Sequence, residues 1–170
     1  MEVKIRTMNG QNIFLSLFFL LMLSYSCSEK ELQEVDLDKA TMEILALHNA
    51  QRGYHFQKDS VAFANQFSDQ FISVNRGLIT SPSKDETISR YNSYFSSVDF
   101  VKWDDLNEPV IKFSDDGTMA YTVVDKIVQV NYKADDGSVF TDSTHFAWTA
   151  IYKKYESGWK VDCVTSTNKS

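Results

Sequence analysis

From Asp38 onward, apolar side chains recur at helical spacing. Ile44, Leu45, Leu47 and His48 stand three and four apart, and Gln51 and Tyr54 continue the stripe, which predicts a helix ending near Gln57. Asp59 is placed to cap a short second helix over "SVAFANQF", whose apolar positions are Val61, Phe63, Ala64 and Phe67. In "DQFISVNRG" the side chains alternate and the run closes on Gly77, the mark of a short strand. Ser83 followed by Glu86 forms a capping box that opens a third helix through Ile88, Tyr91, Tyr94 and Phe95.

Beyond residue 107 the period changes. "SDDG" at 114 to 117, "ADDG" at 134 to 137 and "ESG" at 156 to 158 are hairpin turn signals between runs rich in Val, Tyr, Phe, Thr and Trp. They predict four antiparallel strands over 108–114, 118–133, 138–154 and 158–167. Runs of this length require bends or bulges. The expected class is α+β: a cone-like curved antiparallel sheet packed on three N-terminal helices. The mouth of such a cone is a natural pocket.

The amino-terminal end follows neither pattern. Lys4 and Arg6 stand against Glu2, and "IFLSLFFLLML", Ile13 to Leu23, then runs without a charge. Eleven residues are too few to span a bilayer, which takes about 20. A basic start, a short apolar centre and the small residues Ser24 and Ser26 describe a secretory signal over 1–26. The expected organisation is that signal, a flexible acid- and lysine-rich tether over 27–37, and one domain over 38–170. The signal holds one acid and two bases, so the remainder carries 22 acidic and 15 basic residues, a net charge of −7. Without a basic cluster, nucleic acid is excluded as the expected partner.

"SYSCSEKE" puts Cys27 directly after the expected cut. A first mature cysteine after such a leader resembles a bacterial lipoprotein, and the acidic "CSEKE" is similar to the surface-export signal of Bacteroidetes-like lipoproteins. The resemblance implies lipid on Cys27, a membrane as partner, and the cell envelope, in particular the outer membrane, as location; Ser28 after the cysteine favours the latter. The other reading is ordinary cleavage, leaving an unmodified thiol able to pair with Cys163 in an oxidising compartment. A disulfide to a mobile tether would staple little structure, and stable anchoring needs more than one acyl chain.

The order of elements resembles the nuclear transport factor two-like, SnoaL-like cone superfamily. The residues that carry the resemblance are Ile44 to Leu47, "KDSVAFANQFSDQFISVNRG" at 58 to 77, "DDGTMAY" at 115 to 121 and "TAIYKKYESGWKV" at 149 to 161. It covers about residues 40 to 168 and implies the cone fold, a frequent dimer, and either isomerase, dehydratase or cyclase chemistry or a module with no chemistry. Fold alone does not choose among these. Members often carry a histidine six residues after the Trp of the last hairpin; here that position is Thr165.

Candidate chemistry is sparse. His48 lies on the apolar stripe of the first helix, either as a hydrogen-bonded core residue or as a group lining the cone. Asp125 and Lys126 fall on opposite faces of one strand, and one must look inward if that strand is central. An inward Asp125 near His48 or His145 would make an acid-base pair; an edge strand would leave a solvated Asp–Lys couple. His55 is expected to face solvent near the helix end. Tyr54, Tyr91, Trp103, Tyr121 and Trp148 could shape a cavity or fill the core. Trp159 is expected beneath the helices and Cys163 toward the core. The histidines at 48, 55 and 145 lack metal-ligand spacing, and neither a phosphate-binding glycine loop nor a serine elbow occurs, so no cofactor is expected.

The leading expectation is a lipid-anchored envelope protein whose cone binds a small apolar ligand or a protein partner without catalysis. Its pocket would be lined by His48, Tyr54, Trp103, Tyr121, Trp148 and Thr165. The alternative is an acid-base enzyme of the isomerase or dehydratase type using His48, Asp125 and His145. A homodimer is a third expectation.

Overall fold

The computed structural model describes residues 36–134 and 136–169. The expected signal over 1–26 and Cys27 lie outside the described residues, as does most of the expected tether.

Helix α1, Leu37–Gln57, starts one residue before the expected position because Asp36 caps it, its carboxylate accepting from Lys39 N at 2.9 Å. Its buried positions are Ala40, Ile44, His48, Gln51 and His55. The stripe follows helical spacing, yet it turns from apolar to polar along its length. Lys58 ends the helix in the left-handed region at φ 57°. Helix α2, Ser60–Ala64, is a single turn capped by Asp59, whose Oδ1 accepts from Ala62 N at 2.8 Å. Helix α3, Lys84–Ser97, carries the full capping box: Ser83 Oγ accepts from Glu86 N, and Glu86 Oε2 accepts from Ser83 N at 2.7 Å. The helical layer is thus two long helices and one turn rather than three full helices.

Strands β1, Phe67–Asn75, and β2, Leu78–Thr80, form a hairpin around Arg76 and Gly77. Both turn residues have positive φ, 49° and 76°, as a two-residue type I′ turn requires. Strands β3 (Asp99–Asp105), β4 (Val110–Phe113), β5 (Met119–Lys133), β6 (Val139–Tyr155) and β7 (Gly158–Asn168) follow. The last four match the expected meander closely.

Among the described residues seven strands form one sheet in the order β2-β1-β7-β6-β5-β3, with β4 also pairing along β5. The sheet is mixed and not purely antiparallel, because β1 runs parallel to β7. That pairing joins strands far apart in the chain, so no local turn signal announces it. Register shifts between Phe67 and Ile72, Phe100 and Lys102, and Ile151 and Tyr152 supply the curl.

Strand β5 is interior, flanked by β6 on one side and by β3 and β4 on the other. Its inner face alternates without a break: Ala120, Thr122, Val124, Lys126, Val128 and Val130 are all buried. An apolar cluster sits at each end. Ala40, Ile44, Phe71, Tyr152, Trp159 and Val161 pack around Ala120 and Ala150. Val98, Val128 and Val130 pack with Tyr94, Phe100, Trp103, Tyr132 and Phe146. Between the clusters the strand presents Thr122 and Lys126 to the interior.

Candidate functional site

The curl of the sheet against α1, α2 and α3 encloses a cavity of about 590 Å³. Its walls are aromatic: Phe63, Phe67 and Phe71 on one side, Tyr91 and Tyr94 from α3, and Trp103, Tyr132, Phe146 and Trp148 from the sheet. Val128, Val130, Ala150 and Val164 complete the apolar surface. The size suits a small organic molecule.

His55 and Gln51 from α1 close the buried end. His55 is 1% exposed, which overturns its expected solvent-facing position. It stacks on Trp103 at a centroid distance of 3.5 Å and meets Phe63, Phe95 and Phe100 edge-on. Burial pushes its pKa down to about 4, with the Lys126 charge adding to that effect and a hydrogen bond to Gln51 O opposing it. The ring is neutral at pH 7. Its Nδ1–H donates to Gln51 O at 2.7 Å, which leaves Nε2 as the acceptor. Trp103 Nε1–H is buried without a hydrogen-bond partner among the described residues.

A second polar group lies beside the cavity rather than in it. Asp105 Oδ2 accepts from His48 Nε2–H at 2.7 Å, and Lys126 Nζ lies 2.5 Å from Asp105 Oδ1. The His48 and Lys126 side chains are 2% and 4% exposed. Burial pushes the Asp105 carboxyl up, but the hydrogen bonds and charges of His48 and Lys126 outweigh it and hold the group below its ordinary range. Lys126 Nζ also lies over the Trp103 and Trp148 rings at 5.5 and 5.6 Å. Tyr152 closes this region, its pKa pushed up to about 12 by burial and by the Asp105 charge. A carboxylate hydrogen-bonded by His48 and paired with the Lys126 ammonium is a poor base, and none of His48, Asp105 and Lys126 lines the cavity.

The residues singled out from sequence scatter. Trp103 and Trp148 line the cavity. His48 is buried against Asp105, and Tyr54 is half-buried outside the lining. Tyr121 is 44% exposed on the outer face, and Thr165, which follows the inward Val164 and so turns to the outer face, is exposed as well. Because Lys126 takes the inward place, Asp125 points out and pairs there with His145, both near 40% exposed. His48 and the Asp125–His145 pair therefore lie on opposite sheet faces, and the three form no common site. Cys163 is half-buried and sits opposite Ile151 and Ile72, in alternation with the cavity-lining Ala150 and Val164, so it faces away from the cavity. Among the described residues no cluster of His, Cys, Asp or Glu is arranged to hold a metal ion.

Sequence reading missed Asp105 and His55. The β3 bulge between Phe100 and Lys102 breaks the two-residue period and turns Phe100 and Trp103 toward the same ring. His55 did carry a signal: it lies seven residues, two turns, after His48 on one stripe.

No protein-family model matches the sequence, and no curated protein matches it. Solved structures do match in fold. A candidate dehydratase of the NTF2-like family from Streptomyces avermitilis superimposes with a TM-score of 0.65 at 10% identity, covering 78% of this chain and 99% of that one. A ketosteroid isomerase-like protein from Erwinia carotovora atroseptica gives 0.60 at 21% identity, over 76% and 95%. An NTF2-like protein from Cytophaga hutchinsonii gives 0.59 at 15% identity, over 74% and 95%. The chain shares the α+β fold of these NTF2-like structures, a curved mixed sheet with helices at its N-terminal side. At these identities the likeness extends to the fold alone.

Proposed function

We propose that this chain is an envelope protein held to the membrane by lipid on Cys27, and that its cone binds a small, largely apolar ligand without transforming it. The observation that carries the binding reading is the cavity of about 590 Å³, walled by aromatic rings and closed by a neutral histidine and a partnerless indole N–H. A histidine titrating near 4 is a weak base at pH 7, which disfavours proton abstraction at this end. A ligand with one polar group could satisfy Trp103 Nε1–H or His55 Nε2 while its body displaces water from the rings.

Titration with the neutral dye N-phenylnaphthylamine tests the cavity. Binding should enhance dye fluorescence and raise the melting temperature. Thr144→Trp, which fills the cavity from β6, should abolish both effects, and Thr165→Trp on the outer face should leave them unchanged. Equal binding by the two variants would place the dye elsewhere. For the anchor, mass spectrometry of the mature N-terminal peptide should show acyl chains on Cys27; a bare thiol rejects it.

A homodimer is the second reading, favoured by one patch. Val110 and Val123 are register partners on the outer face, 51% and 44% exposed, and Tyr121 lies beside them. Light scattering on wild type and Val123→Glu decides it: a monomer in both ends the reading.

A further inference from the structure

The cavity changes character toward its mouth. Arg76 and Arg90 both line it and both are exposed, so they stand at the rim. Neither belongs to an ion pair among the described residues. The turn itself does not call for Arg76. It is the first central residue of a type I′ turn, at φ 49°, where Asn, Asp or Gly is favoured and a long side chain carries a backbone cost. The Arg90 guanidinium lies 5.1 Å from the centre of the Tyr91 ring, itself part of the wall. The acid that shares the rim is Asp142. Two guanidiniums against one carboxylate leave a charge of about +1 at the mouth, on a chain whose net charge is −6.

We infer that the ligand of this cone is an apolar monoanion, a carboxylate-headed amphiphile whose body lies among the aromatic rings and whose head sits on Arg76 and Arg90. The inference rests on the ligand-binding reading above and adds the ligand's charge and orientation. The head stays at the rim because the inner end is lined by the neutral groups His55, Gln51 and Trp103, the nearby Lys126 being already paired with Asp105, and a carboxylate buried there would lose its hydration uncompensated. Guanidinium forks suit carboxylate and phosphate alike. The net charge selects between them, since a dianionic phosphate would face Asp142 with one charge unmatched.

Calorimetric titration with decanoate and with decanol tests the assignment, because the two share a body and differ in head. Decanoate should bind about tenfold tighter or better, the expected worth of a charge-assisted hydrogen bond. In the double variant Arg76→Gln/Arg90→Gln that preference should fall to near parity while decanol affinity holds. Asp142→Asn, which needs no loss of arginine, should widen the preference. Decanol binding as tightly as decanoate to wild type overturns the charge assignment alone. A preference unchanged in both the double variant and Asp142→Asn does the same. Binding of neither probe overturns this inference together with the ligand-binding reading.

Discussion

Two histidines on one face of α1, two turns apart, meet opposite surroundings. His48 faces Asp105 and Lys126 and is held in a network of charge. His55 faces Trp103, Phe63, Phe95 and Phe100 and is neutral. Helix and residue type are shared, so the difference comes from what β3 delivers. Its bulge brings Phe100 and Trp103 to His55, and two residues on, the same face brings Asp105 to His48. A buried histidine is therefore no sign of chemistry by itself; its partner decides whether it acts as a structural clasp or as a polar cap on a cavity.

The largest expected effect breaks the charged half. Asp105→Ala leaves Lys126 buried without its counter-ion and should cost about 4 kcal/mol in urea unfolding. Replacing both charges, with Asp105→Leu and Lys126→Met, should recover most of that loss, because a packed apolar pair avoids the stranded ammonium. A single variant as stable as wild type would show that the clasp contributes nothing.

The neutral half responds to pH. His55 has a folded pKa of about 4, below its ordinary 6.5, so the unfolded chain binds the proton more readily. Its share of stability is complete above pH 6.5 and is lost as pH falls toward 4, by on the order of 3 kcal/mol. Asp105, also lowered when folded, adds a further loss only below its ordinary value of 3.8. His55→Phe should flatten the slope between pH 6.5 and 4 and leave the steeper acid limb in place. A slope that survives the substitution would assign it to another group.

The smallest effect belongs to the third histidine. The His145–Asp125 pair lies on the outer face with both side chains near 40% exposed. His145→Ala should change stability by less than about 1 kcal/mol. A larger cost would mean that the outer face is covered, as the dimer reading requires.

Local signals were legible in the chain. Asp59 and Ser83–Glu86 announced α2 and α3, the hairpin turns announced β4 to β7, and the stripe through Ile44 and His48 announced α1. Trp103 and Trp148 were readable as candidate cavity aromatics, whereas Tyr121 and Thr165 were not separable from them, because alternation along a strand gives two faces without saying which is concave. The Asp125–Lys126 step shows the same limit. Sequence established that one of the two must look inward if β5 is central, and only the pairing of β5 with β3, β4 and β6 made it Lys126.

The sequence by itself determined the elements, their caps and turns, and the change from helical to strand period, since each depends on neighbours a few residues away. Tertiary structure alone decided the parallel seam of β1 and β7, the clasp of His48, Asp105 and Lys126, and the aromatic cavity with Arg76 and Arg90 at its mouth. The seam joins residues about 90 apart and the His48–Asp105 contact spans 57, brought together by the sheet's curl and bulges, and pairings at that range leave no period in the chain to read.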